Sequence, residues 1–250
     1  MMEAVDATKV YQQGQRRVDA LRGVSLRVEA GEFVSIMGPS GSGKSTLMHL
    51  LGGLDTPTSG RVLFQGQDLR AMSDRERSLL RRNRVGFVFQ AFNLLATLNG
   101  VENVALPLLL AGRGSGAALK DAAAALDRVG IAHRAGHFPD EMSGGEMQRV
   151  AVARALVTDP DAVLCDEPTG NLDSANSQEI LNLLRSLPES GKRSVVMVTH
   201  DPNSAAYGDR LFHIRDGLVE SERRQTPCAR PEPKPAPQGI QAAAGLGVQR

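Results

Sequence analysis

Cysteine is nearly absent: Cys165 and Cys228 are the only two in 250 residues, far apart and in unlike surroundings. Two such thiols supply neither a disulfide framework nor a metal-ligand spacing, and they suit a reducing compartment. An excess of one charge is also missing, with 29 lysine and arginine residues against 28 aspartate and glutamate. That balance argues against wide-field steering of a polyanion. No apolar run reaches the length of a membrane span; the strongest, VALPLLLAG at 104–112, is short and carries Pro107. The opening MMEAVDATKVYQQG lacks a basic start followed by an apolar stretch, so no secretory signal is expected. The chain is therefore expected in the cytoplasm, or on the cytoplasmic face of the membrane through a partner.

What is present is an α/β texture. SLRV at 25–28, FVSIM at 33–37, RVLF at 61–64 and VGFVF at 85–89 read as strands, and TLMHLLGGL reads as the start of a helix. From about 95 to 160 apolar residues recur at helical spacing, as in LKDAAAALDRVG and GEMQRVAVARAL. AVLCD at 162–166 and SVVMVTH at 194–200 are runs of buried-strand type. RLFHI and the turn Asp216–Gly217 are expected to close the folded part. Strands thus alternate with helices around a buried sheet, with a mainly helical insertion in the middle. Beyond about 224 the proline- and alanine-rich TPCARPEPKPAPQGIQAAAG has little apolar surface to offset ordering entropy, and a disordered tail is expected.

The segment Gly38-Pro39-Ser40-Gly41-Ser42-Gly43-Lys44-Ser45, followed by Thr46, matches a phosphate-binding loop between a strand and a helix, the context that motif requires. Its glycines let backbone N–H groups turn inward around phosphate oxygens, and the following helix adds its positive end. Lys44 can reach β- and γ-phosphates, and the Ser45 hydroxyl can ligate Mg2+. A second magnesium group is expected at the end of another buried strand. AVLCD supplies Asp166 there, with Glu167 next to it to take a proton from an attacking water. Cys165, inside that strand, reads as a small buried hydrophobe.

Ser143-Gly144-Gly145-Glu146, ahead of a helical pattern, forms a second anion-binding helix start, which one nucleotide does not need. This segment resembles the signature of the ABC transporter ATPases, and the resemblance covers about residues 1–222. It implies a P-loop NTPase fold: a RecA-like core with an antiparallel β edge at about 1–92 and 160–223, and a helical subdomain at about 93–159. It also implies that the signature of one subunit faces the phosphate loop of another, burying two ATP molecules in a head-to-tail dimer. Under the same resemblance Gln90 senses magnesium and water, Asp173 lies in the loop between the active sites, His200 contacts the γ-phosphate and Tyr11 stacks on adenine. Glu146 departs from the glutamine commonest in the signature. As the third residue after Ser143 it can bond back to the helix start as a capping box, with hydrolysis intact.

LGGLDTPTSG at 51–60 and FNLLATLNGVENVALPLLLAG at 92–112 resemble the branch that energises lipoprotein release and macrolide export; the cell-division ATPase is also similar. That implies integral membrane permease subunits as partners, docking on the surface of 94–112 with Phe92 and Leu94 at its edge, unless these residues only fill the helical lobe. A soluble ABC ATPase acting on nucleic acid or ribosomes is the competing class. Arg75, Arg77, Arg81, Arg82 and Arg84 invite it, but Asp74 and Glu76 interrupt the run and no stacking aromatics accompany it, so direct nucleic-acid binding is not expected. A scaffold that binds ATP without turnover is a third class. His133, His137 and Glu141 imitate a metal spacing, but Gly136 and Pro139 disfavour a shared helix face.

Overall fold

The computed structural model describes residues 1–14, 16–188, 191 and 193–226. Of the expected disordered tail, residues 227–250, with Cys228 among them, fall outside these, while Arg224 ends a strand. The chain opens with two long antiparallel strands, β1 (Met2–Gln13) and β2 (Arg16–Val28). With β4 (Ser59–Phe64) and β5 (Gln67–Asp68) they make one sheet in the order β2-β1-β4-β5. The run SLRV is only the end of β2, and β1 carries no strong strand signal. Its inward residues Met2, Ala4 and Ala7 are small or weakly β-forming, and register shifts interrupt their alternation.

The second sheet holds β3 (Phe33–Met37), β6 (Val85–Phe89), β7 (Ala162–Asp166), β8 (Ser194–Thr199), β9 (Arg210–Arg215) and β10 (Leu218–Arg224). Its order is β10-β9-β3-β8-β7-β6, parallel throughout except for the β9–β10 hairpin. The chain therefore continues past the Asp216–Gly217 turn into one more strand, and the Gln225 N–H donates to the Asp209 carbonyl at 3.0 Å.

Successive side chains of a strand point to opposite faces, and that alternation divides the interior. Val34, Ile36, Val196 and Val198 pack with α1 (Lys44–Leu51) and the antiparallel sheet. Phe33, Val163, Cys165, Val195 and Met197 pack with α4 (Ser115–Arg128), α5 (Gly144–Leu156) and α6 (Ser174–Ser186). Burial also pushes the Cys165 thiol pKa up, beyond reach at neutral pH.

Two further helices start in capping boxes, α2 (Asp74–Arg84) on Ser73 and Glu76, and α3 (Gly100–Leu110) on Asn99 and Glu102. In α3 the residues Asn103, Val104, Ala105 and Leu108 are buried, while Leu109 and Leu110 are exposed. A short helix, α7 (Pro202–Ala205), follows β8. On α2, Arg77 bonds the Met72 carbonyl at 2.9 Å, Arg81 bonds the Gly53 carbonyl at 2.6 Å and Arg84 bonds Gln65 at 2.6 Å. Three of the five arginines of that run are thus tied to the protein's own surface. His133 and Glu141 fall on two separate one-turn 3₁₀ segments, Ala132–Arg134 and Pro139–Glu141, with His137 between them.

Candidate active site

The strand order sets the site. β3, β8 and β7 are neighbours, and register places Met37 opposite Thr199 and Asp166 opposite Val198 and Phe89. The loop after β3, Glu167 after β7, His200 after β8 and Gln90 after β6 therefore leave the sheet along one edge.

The loop from Gly38 to Ser45 joins β3 to α1. A methyl group on Gly38 would overlap the Ile214 carbonyl oxygen, and one on Gly43 the Ala20 carbonyl oxygen; Gly43 also has φ 102°. Neither position can take a side chain. No side chain caps α1, whose N-cap is Gly43 itself, so its first N–H groups are free to meet an anion. Pro39, Ser40 and Gly41 are exposed, whereas the Lys44 Nζ turns in to donate to the Gly38 and Pro39 carbonyls at 2.8 and 2.9 Å.

Behind the loop, the Ser45 hydroxyl donates to Asp166 Oδ1 at 3.1 Å. Burial raises the Asp166 pKa, and the adjacent Glu167 charge adds to this; the Ser45 bond and the nearby His49 and Lys44 act in the opposite direction. Glu167 adopts φ 45°, an uncommon conformation for a residue with a Cβ, and its N–H bonds the Val198 carbonyl at 3.0 Å. Its Oε1 lies 2.8 Å from His200 Nδ1.

Gln90 and Asn171 clasp each other: Gln90 Nε2 donates to Asn171 Oδ1 at 3.3 Å, and Asn171 Nδ2 donates to the Gln90 carbonyl at 3.0 Å. Asp173 caps α6, accepting from the Asn176 N–H at 2.8 Å and from its side-chain amide at 2.7 Å, which holds the carboxyl pKa low.

Ser143 starts α5 with the capping box that the sequence spacing implied. The Glu146 N–H donates to Ser143 Oγ at 3.3 Å, and the Ser143 N–H donates to Glu146 Oε2 at 2.8 Å. The Arg134 Nε donates to the other Glu146 oxygen at 2.7 Å. The Ser143 backbone bond and the Arg134 contact bring the Glu146 pKa down to about 2. Gly144 lies against Asn171, Leu172 and Phe92, and Gly145 against Asn176, so the signature packs on the loop that carries Asp173.

Tyr11, on β1, donates its hydroxyl to Asp55 Oδ2 at 2.9 Å and also meets the Thr46 side chain on α1. Lys9 sits 5.0 Å from the ring centroid and bonds Asp55 at 2.6 Å. Burial and the bonds to Asp55 raise the Tyr11 pKa.

A family model described as ABC transporter matches residues 21–170, a span that includes the loop, the signature and the Asp166–Glu167 pair. The chain belongs to the ABC transporter family. Among its ABC relatives, the lipoprotein-releasing system ATP-binding protein LolD of Psychrobacter arcticus is 50% identical over 222 residues, covering 88% of this chain and 98% of that protein. The macrolide export ATP-binding/permease protein MacB of Chlorobaculum tepidum is 48% identical over 243 residues, 97% of this chain but 37% of the relative. The chain thus spans little more than a third of the MacB length. A dimeric ATP-binding cassette in a post-hydrolysis state with ADP and Pi superposes with TM-score 0.84 at 43% identity, covering 90% of this chain and 99% of that one. The fold is that of the P-loop NTPase cassettes.

Sequence reasoning did not single out Asp55, Asn171 as the partner of Gln90, Gln148 or Arg154 in this ABC chain. Arg154 donates to the Phe92 and Asn93 carbonyls at 2.8 and 2.5 Å. Each acts through partners distant in sequence, and no local spacing announces such pairs.

Proposed function

We propose that the chain binds and hydrolyses ATP as the energising subunit of a membrane transport complex, working as a head-to-tail dimer. One observation carries the reading: Lys44, Ser45, Asp166, Glu167 and His200 meet where three adjacent strands end, with Glu167 already oriented by His200.

In this reading the uncapped start of α1 and the loop N–H groups hold phosphate oxygens. Lys44 exchanges the Gly38 and Pro39 carbonyls for the β- and γ-phosphates. Glu167 takes the proton of the attacking water, while His200 holds that carboxylate and reaches the γ-phosphate. Ser45 and Asp166 suit Mg2+: both offer hard oxygens in contact, and burial disfavours the charged Asp166 carboxylate that a cation there would stabilise. Gln90 would complete that side, and the bound ion would supply charge neutralisation on the phosphates. Tyr11 stacks on adenine. Ser143, Gly144, Gly145 and the Asp173 loop face the second subunit's nucleotide; the dimeric cassette among the structural neighbours supports this arrangement.

The surface for a membrane permease is a groove of about 330 Å³ between the sheet and the helical lobe, lined by Arg82, Phe87, Phe89, Asn93, Pro107 and Arg154 among others. Beside it Leu95, Leu109 and Leu110 are exposed. The partner is proposed to be a permease of the lipoprotein-release or macrolide-export kind, with lipoprotein, peptide, lipid or drug-like cargo; LolD is named as the ATP-binding protein of a lipoprotein-releasing system, and MacB as a macrolide export ATP-binding/permease protein. Affinity capture of the Glu167→Gln chain from mildly solubilised membranes tests this. A stoichiometric membrane protein with few spans and a large external domain supports it. Recovery of ribosomal or DNA-bound material alone moves the function out of transport, and recovery of cell-division proteins moves it to that branch.

A further inference from the structure

Gln148 lies on α5, two residues beyond the capping Glu146, and is fully buried. Its Nε2 donates to the Pro168 carbonyl at 2.6 Å and sits 3.5 Å from the Phe89 carbonyl. Both neighbours are acceptors, so only the orientation with nitrogen toward them is chemically consistent. Oε1 is sealed from solvent without a partner. An amide half-satisfied in the interior is unfavourable where an apolar side chain of the same volume would fit, and its presence needs a reason.

The reason lies in what the two carbonyls belong to. Pro168 follows Glu167 and Phe89 precedes Gln90. The turn after β7 holds Glu167 at φ 45°, pinned by the Glu167 N–H on the Val198 carbonyl and by the Gly170 N–H on the Glu167 carbonyl, each at 3.0 Å. The Gln148 bond is a third restraint on that turn, and it comes from the signature helix. A helix moves as a stiff unit, so displacement at its Ser143 end reaches Gln148 little more than one turn away.

We propose that Gln148 is a positioning residue, carrying the placement of the signature helix to the turn that bears Glu167 and, through the longer contact, to Gln90. The inference rests on Glu167 being the group that receives the water proton.

The test uses Gln148→Met and Gln148→Glu in the full chain, with ATP turnover, KM for ATP and thermal unfolding followed between about pH 6 and 8. Methionine fills the volume without a donor, so kcat is expected to fall about tenfold or more while KM and the melting temperature stay near wild type. A protonated carboxyl can give one hydrogen bond to the Pro168 carbonyl and an ionised one cannot. Gln148→Glu should therefore gain turnover relative to wild type as pH falls, and exceed Gln148→Met at the acid end. Turnover of Gln148→Met within about twofold of wild type overturns the proposal. So does a Gln148→Glu chain no better than the methionine variant at any pH. If Gln148→Met fails to fold, the pH trend of Gln148→Glu decides alone. Wild type and Glu167→Gln run alongside. An inactive wild type, or an active Glu167→Gln, sinks the hydrolytic reading and this inference together, whereas normal controls with a silent Gln148→Met sink the inference only.

Discussion

Nδ1 of His200 lies 2.8 Å from Oε1 of Glu167, joining the residues that follow two adjacent parallel strands. The carboxylate is 16% exposed and the imidazole 65% exposed, so a shielded acidic group lies beside an open ring at the ends of β7 and β8. A carboxylate held in this way is oriented in advance, as the general-base role proposed for Glu167 requires.

Glu167→Gln keeps the shape and removes the base. Phosphate release should drop by about 10²-fold or more while ATP binding persists. On size exclusion the ATP-loaded variant should run as a dimer. Unchanged turnover would remove Glu167 from its role.

Tyr11 and Asp55 form the second relationship to test. Stacking of an aromatic on a base is worth about 1–3 kcal/mol, so Tyr11→Ala should weaken ATP binding by roughly 5- to 150-fold. Asp55→Ala leaves the ring but frees it from its tether, and a smaller rise in KM is expected. A Tyr11→Ala chain with native ATP affinity, measured by titration calorimetry, would place the ring outside the nucleotide site.

Glu146 offers a pH signature. Its folded-state pKa is depressed from 4.5 to about 2, so its contribution to stability is complete above the unfolded value. That contribution is lost as pH falls from about 4.5 toward 2. Melting curves of wild type and Glu146→Gln should differ at neutral pH and converge toward pH 2. The amide can still accept the Ser143 N–H, so turnover of Glu146→Gln should stay within a few-fold of wild type. A change beyond about tenfold would give the carboxylate a direct part in catalysis.

Gly86 tests the packing of β6 on α5. A Cβ there would collide with the Ala155 carbonyl oxygen, backbone against backbone, with no flexible side chain to give way. Gly86→Ala should cost about 1–3 kcal/mol and lower the melting temperature by about 2–12 °C, read by calorimetry. An unchanged melting temperature would mean that α5 is free to retreat from the strand.

The glycine-rich turn between β3 and α1, the buried strand ending in Asp166, the Ser143–Glu146 capping box and the run of helices between β6 and β7 were all legible in the sequence, for one physical reason. Each depends on residues within a few positions of one another, where spacing alone fixes what can bond to what. Glycine at 43 and the Ser143–Glu146 interval carry their geometry with them. β1 was not legible, because Met2, Ala4 and Ala7 have little intrinsic strand preference and acquire their conformation from β2 and β4. Nor was the clasp of Gln90 with Asn171, the tether of Tyr11 to Asp55, or the reach of Gln148 to Pro168. Those pairs are 81, 44 and 20 positions apart. The strand order β3-β8-β7-β6 brings Gln90 to Asn171, and the β1–β4 pairing in the other sheet brings Tyr11 within hydrogen-bonding distance of Asp55. Local spacing was enough to nominate the candidate groups, whereas which of them touch followed from the fold, because contact across a sheet depends on strand order and register rather than on distance along the chain.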